Sequence, residues 1–497
     1  MNYSIIIRKS VFLVFLAVIL PIYIGKAYCE EKELPNILII SLDSLRPDHF
    51  SCYGYPLNTT PNIDKLAKEG VMFKQVISES NWSLGAFSFH ASLYPPVYVK
   101  GHQNSSQVVP EGFEAPAKVL KKYGYEVVDG GYTWPNSGFD TKIEGSNTLD
   151  LNPLIKAIEK YKDKKFFLYY QWVGMCLPYN PPEPYDTMFF PKNYIMTRTS
   201  LVNLDVIRKA RCLRKWNHAS PAQKEEFLKK FDPTKVPVKG AGSEFFLGFA
   251  DLEPEDALPV RALYDGDARW TDECVEKVIS KLKELGLYDK TLIVITSDNS
   301  EELMERGNVG HASESNEGTL FDELIKVGVI IRYPKVIPPD TVVDSQVQPI
   351  DVFPTIFEML GITTPKTYQG KSLLPLIKGE KKKIRDYAFS EGTPGGSTAI
   401  ADDPRIMRCV RTERWKLIKY ENFSPVTYYE LYDLKKDPKE KNNIINEESD
   451  IVRDLKSVLE DWISSCEKLK KEIELEAQAQ KAALVATQSA PQPEKKN

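Results

Sequence analysis

Two stretches of this chain bring together residue types that could do chemistry. In Asn36-Ile-Leu-Ile-Ile-Ser-Leu-Asp43-Ser-Leu-Arg46-Pro-Asp-His49 an apolar run ends on a carboxylate, with Arg46 close behind. In Thr291-Leu-Ile-Val-Ile-Thr-Ser-Asp298-Asn299 the same design ends on a carboxylate followed by an amide. Carboxylate and amide oxygens are the donors that Ca²⁺ and Mg²⁺ take. Asp43, Asp298 and Asn299 therefore read as one divalent-cation site, provided the two runs end side by side. An Asp at such a place also caps helices. One stretch alone leaves that choice open, and the second favours the metal.

The elements that must position these residues can be sketched. A continuous apolar strand marks a parallel sheet covered on both faces. Ligands of such sheets bind beyond the carboxyl ends of the strands. Strand and helix patterns alternate from Pro35 onward, as in an α/β domain. Thr59–Gly70 carries Ile63, Leu66 and Ala67 at helical spacing. Lys164–Val173 reads as an apolar, aromatic strand. Arg261–Leu287 reads as a long amphipathic helix that feeds the strand ending on Asp298. Between them, residues 199–259 are rich in charge and proline, and read as an insertion near the substrate cleft.

Further markers recur along the chain: Leu42-Asp-Ser-Leu-Arg46, Thr60-Pro-Asn-Ile-Asp-Lys-Leu-Ala-Lys-Glu-Gly70, Leu93-Tyr-Pro95, Tyr179-Asn-Pro-Pro-Glu-Pro-Tyr185 and Ser297-Asp-Asn299. Ile350-Asp-Val-Phe-Pro-Thr355, Gly370-Lys-Ser-Leu-Leu-Pro375 and Glu430-Leu-Tyr-Asp-Leu-Lys-Lys-Asp-Pro438 complete the set. In this order they resemble the sulfatase family, within the alkaline phosphatase superfamily, over Pro35 to Ile444. The resemblance implies an α/β fold, with a large, mostly parallel central sheet flanked by helices and a smaller C-terminal α+β subdomain. It implies one divalent ion, Ca²⁺ first, on Asp43, Asp298 and Asn299.

The family nucleophile starts a helix, where free N–H groups favour an anionic ester. Within Ser80-Asn-Trp-Ser-Leu-Gly-Ala-Phe-Ser-Phe-His-Ala-Ser-Leu-Tyr-Pro95 one register places Ser83 there, and another places Ala86 there and leaves the site without a nucleophile. In the Ser83 register, Gly85 stands where the family has Pro, and Phe87 where it has Arg or His. Formylglycine formation needs those partners, so conversion of Ser83 is not expected. An unmodified serine would instead be activated by the metal, as in the phosphate-ester branch. Cys176 stands where relatives carry a substrate-contacting His, and a small buried apolar role is its plainer reading. His311 stands where the family places a basic group near the ester oxygens. It is the candidate for ester binding or general acid, an unused loop His being the other reading. Arg46 resembles the family Arg that orients carboxylates by bidentate pairing. His49 reads as the start of a helix near the surface.

The 497 residues suggest a large domain plus a smaller one. Arg8 and Lys9 precede the apolar run Val11 to Ile24, with small residues before a Glu pair, as in a secretory signal. The expected layout is a signal over 1–29, a catalytic domain over 34–375 with its insertion at 199–259, and a small subdomain over 376–446. A charged helix over 447–484 and a disordered tail over 485–497 follow. The seven cysteines show no zinc spacing, and their pairing is open. A net charge of −4 gives no sign of nucleic-acid binding. The reading is an exported, periplasmic or secreted, metal-dependent hydrolase of a small-molecule or glycan sulfate ester, with no stable membrane span after cleavage. The alternatives are a phosphate ester or diester hydrolase or transferase using unmodified Ser83, and an inactive binding protein of the same fold.

Overall fold

The structure, a computed structural model, describes residues 34–98, 113–131, 137–146, 151–216, 220–230, 247–315, 317–398 and 403–488. The expected signal over 1–29 and tail residues 489–497 lie outside the described residues. In chain order the strands are β1 (Asn36–Leu42), β2 (Val71–Ile77), β3 (Glu126–Gly130), β4 (Thr141–Lys142), β5 (Phe166–Trp172), β6 (Cys212–Arg214), β7 (Leu247–Phe249) and β8 (Thr291–Thr296). There follow β9 (Glu302–Leu303), β10 (Val309–Gly310), β11 (Lys326–Arg332), β12 (Thr341–Val347), β13 (Ala388–Gly392), β14 (Ile406–Arg411), β15 (Trp415–Glu421) and β16 (Tyr428–Asp433).

Eight strands form the main sheet in the order β12-β2-β11-β8-β1-β5-β3-β4. Only β11 runs against its neighbours. The central strands β1, β5 and β8 are buried along their whole length. This is why their sequences read as unbroken apolar runs rather than alternating ones. β1 lies between β5 and β8 in parallel register, with Ser41 opposite both Gln171 and Thr296. Two residues further along each strand stand Asp43 and Asp298. The sheet itself therefore sets the two carboxylates side by side.

The long helix after the insertion spans Ala257–Glu284, four residues earlier than Arg261. Pro259, which read as the insertion's end, sits in its first turn, where no N–H is missed. The region 199–259 holds a helix over Arg198–Ile207, the parallel pair β6–β7 and a helix over Pro221–Lys230. Strands β13 to β16 make the small antiparallel sheet of the C-terminal subdomain. The last helix runs Ser449–Gln488, past the boundary expected at 484. Its end is alanine-rich, and alanine is the best helix former. Among the described residues no helix is long and apolar enough to cross a membrane. The six described cysteines are all free thiols.

The two sheets are clamped by buried charge. Lys416, fully buried on β15, pairs with Asp322 at 2.9 Å and Glu440 at 2.8 Å. Arg411 on β14 reaches the other oxygen of Asp322 at 2.8 Å and Gln346 of the main sheet at 2.6 Å. Removing one partner from a buried ion cluster leaves uncompensated charge, at a cost of about 3–5 kcal/mol. Lys416→Met should lower stability by about that amount in urea unfolding. A change near zero would show that the cluster does not hold the subdomain in place.

Candidate functional site

Three backbone devices fix the strand ends. The Asp43 N–H donates to Trp172 O at 2.8 Å. Ser44, with φ 66°, takes the left-handed turn that a non-glycine residue rarely adopts. Tyr264 of the long helix spans that turn: its hydroxyl donates to Ser44 O at 2.7 Å and accepts from Arg46 N at 2.8 Å. The ends of β1 and β8 are also tied together directly. Leu45 N donates to Ser297 Oγ at 3.2 Å, and Ser300 Oγ donates to Leu45 O at 3.0 Å.

Asp43, Asp298 and Asn299 are all buried at this junction. Gln171 donates to Oδ2 of Asp298 at 3.0 Å. The Asn299 amide nitrogen donates to Ser44 Oγ at 3.2 Å and Ser300 O at 3.1 Å. These bonds leave Oδ1 of Asp298 and Oδ1 of Asn299 with no hydrogen bond to a described residue. Buried acceptors are nearly always satisfied, so two orphaned oxygens beside a second carboxylate call for a ligand. Burial raises the pKa of Asp43 against the lowering effect of His311 and Arg211. Burial and then repulsion from Asp43 push Asp298 well above the usual carboxylate range. A divalent cation is the group that would let both ionise, and the donor set of two carboxylates and one amide oxygen fits it.

Beside this cluster lies a second one. His311 Nδ1 sits 2.7 Å from Glu301 Oε1 and 3.4 Å from both Glu314 Oε2 and Ser44 Oγ. Burial lowers the pKa of His311, but the charges of Glu314 and Glu301 outweigh it and raise it well above the usual imidazole value. Tyr179 donates to the other Glu301 oxygen at 2.7 Å. Glu301, His311 and Glu314 also have the geometry of a three-ligand metal group. Arg211, from region 199–259, donates to Cys176 Sγ at 2.6 Å, to Leu177 O at 2.7 Å and lies 3.2 Å from Glu314 Oε1. Cys176 is buried and its thiol pKa is raised, first by that burial.

Ser83 is the N-cap of the helix Leu84–Ala91, and its side chain makes no capping bond. Ala86 lies inside the first turn and is buried. Gly85 places this helix start. A Cβ there would run into Asp298 O and stand 2.7 Å from Ser78 Oγ. Ser78 itself donates to Asp298 O. Strand β13 of the small subdomain buttresses the approach: Glu391 N donates to Glu79 O at 2.9 Å, and Ser80 Oγ to Glu391 O at 2.8 Å.

Two sequence expectations are corrected. Arg46 does pair bidentately, but with Asp48 at 2.8 and 2.7 Å, and it also reaches Glu305 and Glu301 O. It contacts none of Asp43, Asp298 and Asn299, because the turn after Asp43 carries it to its own local carboxylate. His49 is buried rather than superficial, with Nδ1 2.7 Å from Asp265. Sequence reasoning missed Ser44, Glu301, Glu314 and Arg211. The Glu301 and Glu314 positions near His311 were the only available signal.

The family model for sulfatases matches residues 35–362. The chain belongs to the sulfatase family. This places it among the ester hydrolases of the alkaline phosphatase superfamily. The model for the C-terminal region of N-sulphoglucosamine sulphohydrolase matches residues 316–465. An N-acetylglucosamine-6-O-sulfatase of Bacteroides thetaiotaomicron is 23% identical, over 84% of this chain and 83% of that protein. A protein solved with its substrate D-glucosamine-2-N,6-O-disulfate superposes with a TM-score of 0.66 at 19% identity, over 88% of this chain and 98% of the other. The phosphonate monoester hydrolase of Agrobacterium radiobacter gives 0.63 at 21%, over 88% and 96%. The sulfatase fold thus covers both sheets of this chain.

Because Gly85 lets the helix start touch the Asp298 strand end, Gly85→Ala must push the two apart. Overpacking of this kind costs about 1–3 kcal/mol. The variant should melt lower and bind a divalent cation at least about tenfold more weakly, since 1.4 kcal/mol is a tenfold change. Wild-type values in both calorimetric titration and melting would sever the helix start from the cation site.

Proposed function

We propose that the protein hydrolyses sulfate esters, with a divalent ion, Ca²⁺ first, held by Asp43, Asp298 and Asn299 and with Ser83 as the nucleophile. The observation that carries this reading is the pair of buried, unpartnered oxygens on Asp298 and Asn299 beside Asp43. When bound, the ion supplies positive charge that favours an ionised hydroxyl and a charged ester oxygen.

The chain's own residues would do the rest. Ser83 begins a helix whose first N–H groups favour an anionic ester, and its hydroxyl is not spent on a cap. Its Oγ would bond to the central atom of the ester as the bond to the leaving oxygen breaks. Water would then cleave the new ester and restore the serine. His311 has Nδ1 committed to Glu301, and its Nε2 makes no bond to a described residue. A protonated ring held in this way can donate to the ester oxygens or to the departing alcohol. A sulfated sugar is the favoured substrate class, supported by the glucosamine disulfate that the solved relative binds. Export rests on Arg8, Lys9 and the apolar run that follows them.

A second reading, a phosphate or phosphonate ester hydrolase, is favoured by Gly85 and Phe87 in place of the partners that formylglycine formation needs. The phosphonate monoester hydrolase of the same fold supports it. Aryl sulfate, aryl phosphate and aryl phosphonate should be compared on the full chain with Ca²⁺, Mg²⁺ or Mn²⁺. Turnover should fall at least about 100-fold with chelator and in Ser83→Ala. The preferred ester decides between the two readings. Absence of turnover above Ser83→Ala on every ester, with metal bound, would move the assignment to a binding protein and to Ala86 as the register.

A further inference from the structure

The ester site has an inventory of charge that its known motifs leave unbalanced. Asp43, Asp298, Glu301 and Glu314 are four buried carboxylates. The helix Leu84–Ala91, where the resemblance expects a cation, presents Phe87 instead, and that ring is buried. Cys176, where the resemblance expects His, is a thiol. An anionic ester entering this site therefore meets fewer cationic donors from the strand-end and helix-start motifs than its charge demands.

The inserted region supplies one. Three residues in and before β6 are fastened to the segment that carries His311 and Glu314. Arg211 reaches Glu314 Oε1, Cys212 Sγ lies 3.4 Å from Ser313 O, and Arg214 donates to Glu314 O. The guanidinium of Arg211 is thus held at a fixed place rather than waving from a loop. Its charge is felt at Asp43 as well as at Glu314. Its hydrogen bonds to described residues both leave from Nη1, to Cys176 Sγ and Leu177 O, and the same nitrogen lies 3.2 Å from Glu314 Oε1. Its side chain is 34% exposed, whereas those of His311 and Glu314 are almost fully covered. A guanidinium is a planar fork with five N–H donors. One nitrogen here is anchored, and Nε and Nη2 keep their donors.

We infer that Arg211 seats the tetrahedral oxyanion of the ester, donating from Nε and Nη2 to two of its non-bridging oxygens, with Nη1 fixed by Cys176, Leu177 and Glu314. This deepens the ester-hydrolase reading and rests on it for its location. It assigns the inserted region a part in the site, delivering the cation that the Leu84–Ala91 helix lacks. Bidentate donation is what Arg offers and Lys does not.

The test measures binding of inorganic sulfate and inorganic phosphate to the Ca²⁺-loaded full chain by calorimetry, together with ester turnover, for wild type, Arg211→Ala and Arg211→Lys. Arg211→Ala should weaken oxyanion binding about 10- to 100-fold. Added guanidinium chloride at low concentration should restore part of it, and Arg211→Lys should recover only a fraction. Unchanged oxyanion binding in Arg211→Ala overturns the inference, even if wild type hydrolyses esters. Arg211-dependent oxyanion binding without turnover upholds it and defeats the catalytic reading instead. Full wild-type behaviour of Arg211→Lys overturns the forked contact. Should Arg211→Ala fail to fold, the Lys variant alone decides. Wild type that binds neither anion overturns the seat outright.

Discussion

The constraint on which the site depends is the crowding of ionisable oxygens where β1 and β8 end. The register of three parallel strands leaves Asp43 and Asp298 no choice but adjacency. Burial makes that adjacency expensive, because charge in a low-dielectric interior must be paired. Every nearby feature answers this demand in some way. Gln171 takes one oxygen of Asp298, the Asn299 amide turns its nitrogen toward Ser44, and His311 sits between Glu301 and Glu314, whose charges raise its pKa. The oxygens that remain unanswered are the ones a cation would take.

Such a site can be stable only if the backbone around it cannot relax away. The left-handed turn at Ser44 is costly for a residue with a side chain, and Tyr264 bonds both sides of it. The small subdomain contributes in the same sense. Its strand β13 runs along residues 78–80, the segment that leads into Ser83. The buried Lys416 and Arg411 cluster then keeps that sheet against the large one. The C-terminal subdomain therefore braces the segment that leads into Ser83, although none of the candidate site residues comes from it.

What the sequence disclosed follows from what is local. Apolar runs ending in Asp43 and Asp298 announce buried parallel strands, and the strand-end rule then places the carboxylates. The family motifs extended this to the two-sheet fold and to His311. Arg46 was legible as a carboxylate partner, but not which carboxylate, since Asp48 two residues on competes through a turn that sequence does not display. The boundary at Pro259 misled because a proline in a helix's first turn resembles a proline that ends a loop. Arg211 and Ser44 were illegible for a deeper reason. Their roles exist only once residues more than a hundred positions apart meet, as Arg211 meets Glu314 and Ser44 meets Asn299.

The residues at positions 87, 176 and 211 are electrostatically compatible with one another. Phe87 is packed into the interior and brings no charge to the helix start. A protonated His at position 176 would stand against the Arg211 guanidinium, and like charges that close repel strongly in a buried setting. The Cys176 thiol is neutral there, with its pKa raised, and its sulfur accepts from Arg211 rather than opposing it. Glu314 supplies the countercharge that both Arg211 and His311 need, which explains why its own pKa is lowered despite complete burial. The guanidinium just before β6 thus stands between a neutral thiol and the Glu314 carboxylate, an arrangement in which no two like charges meet.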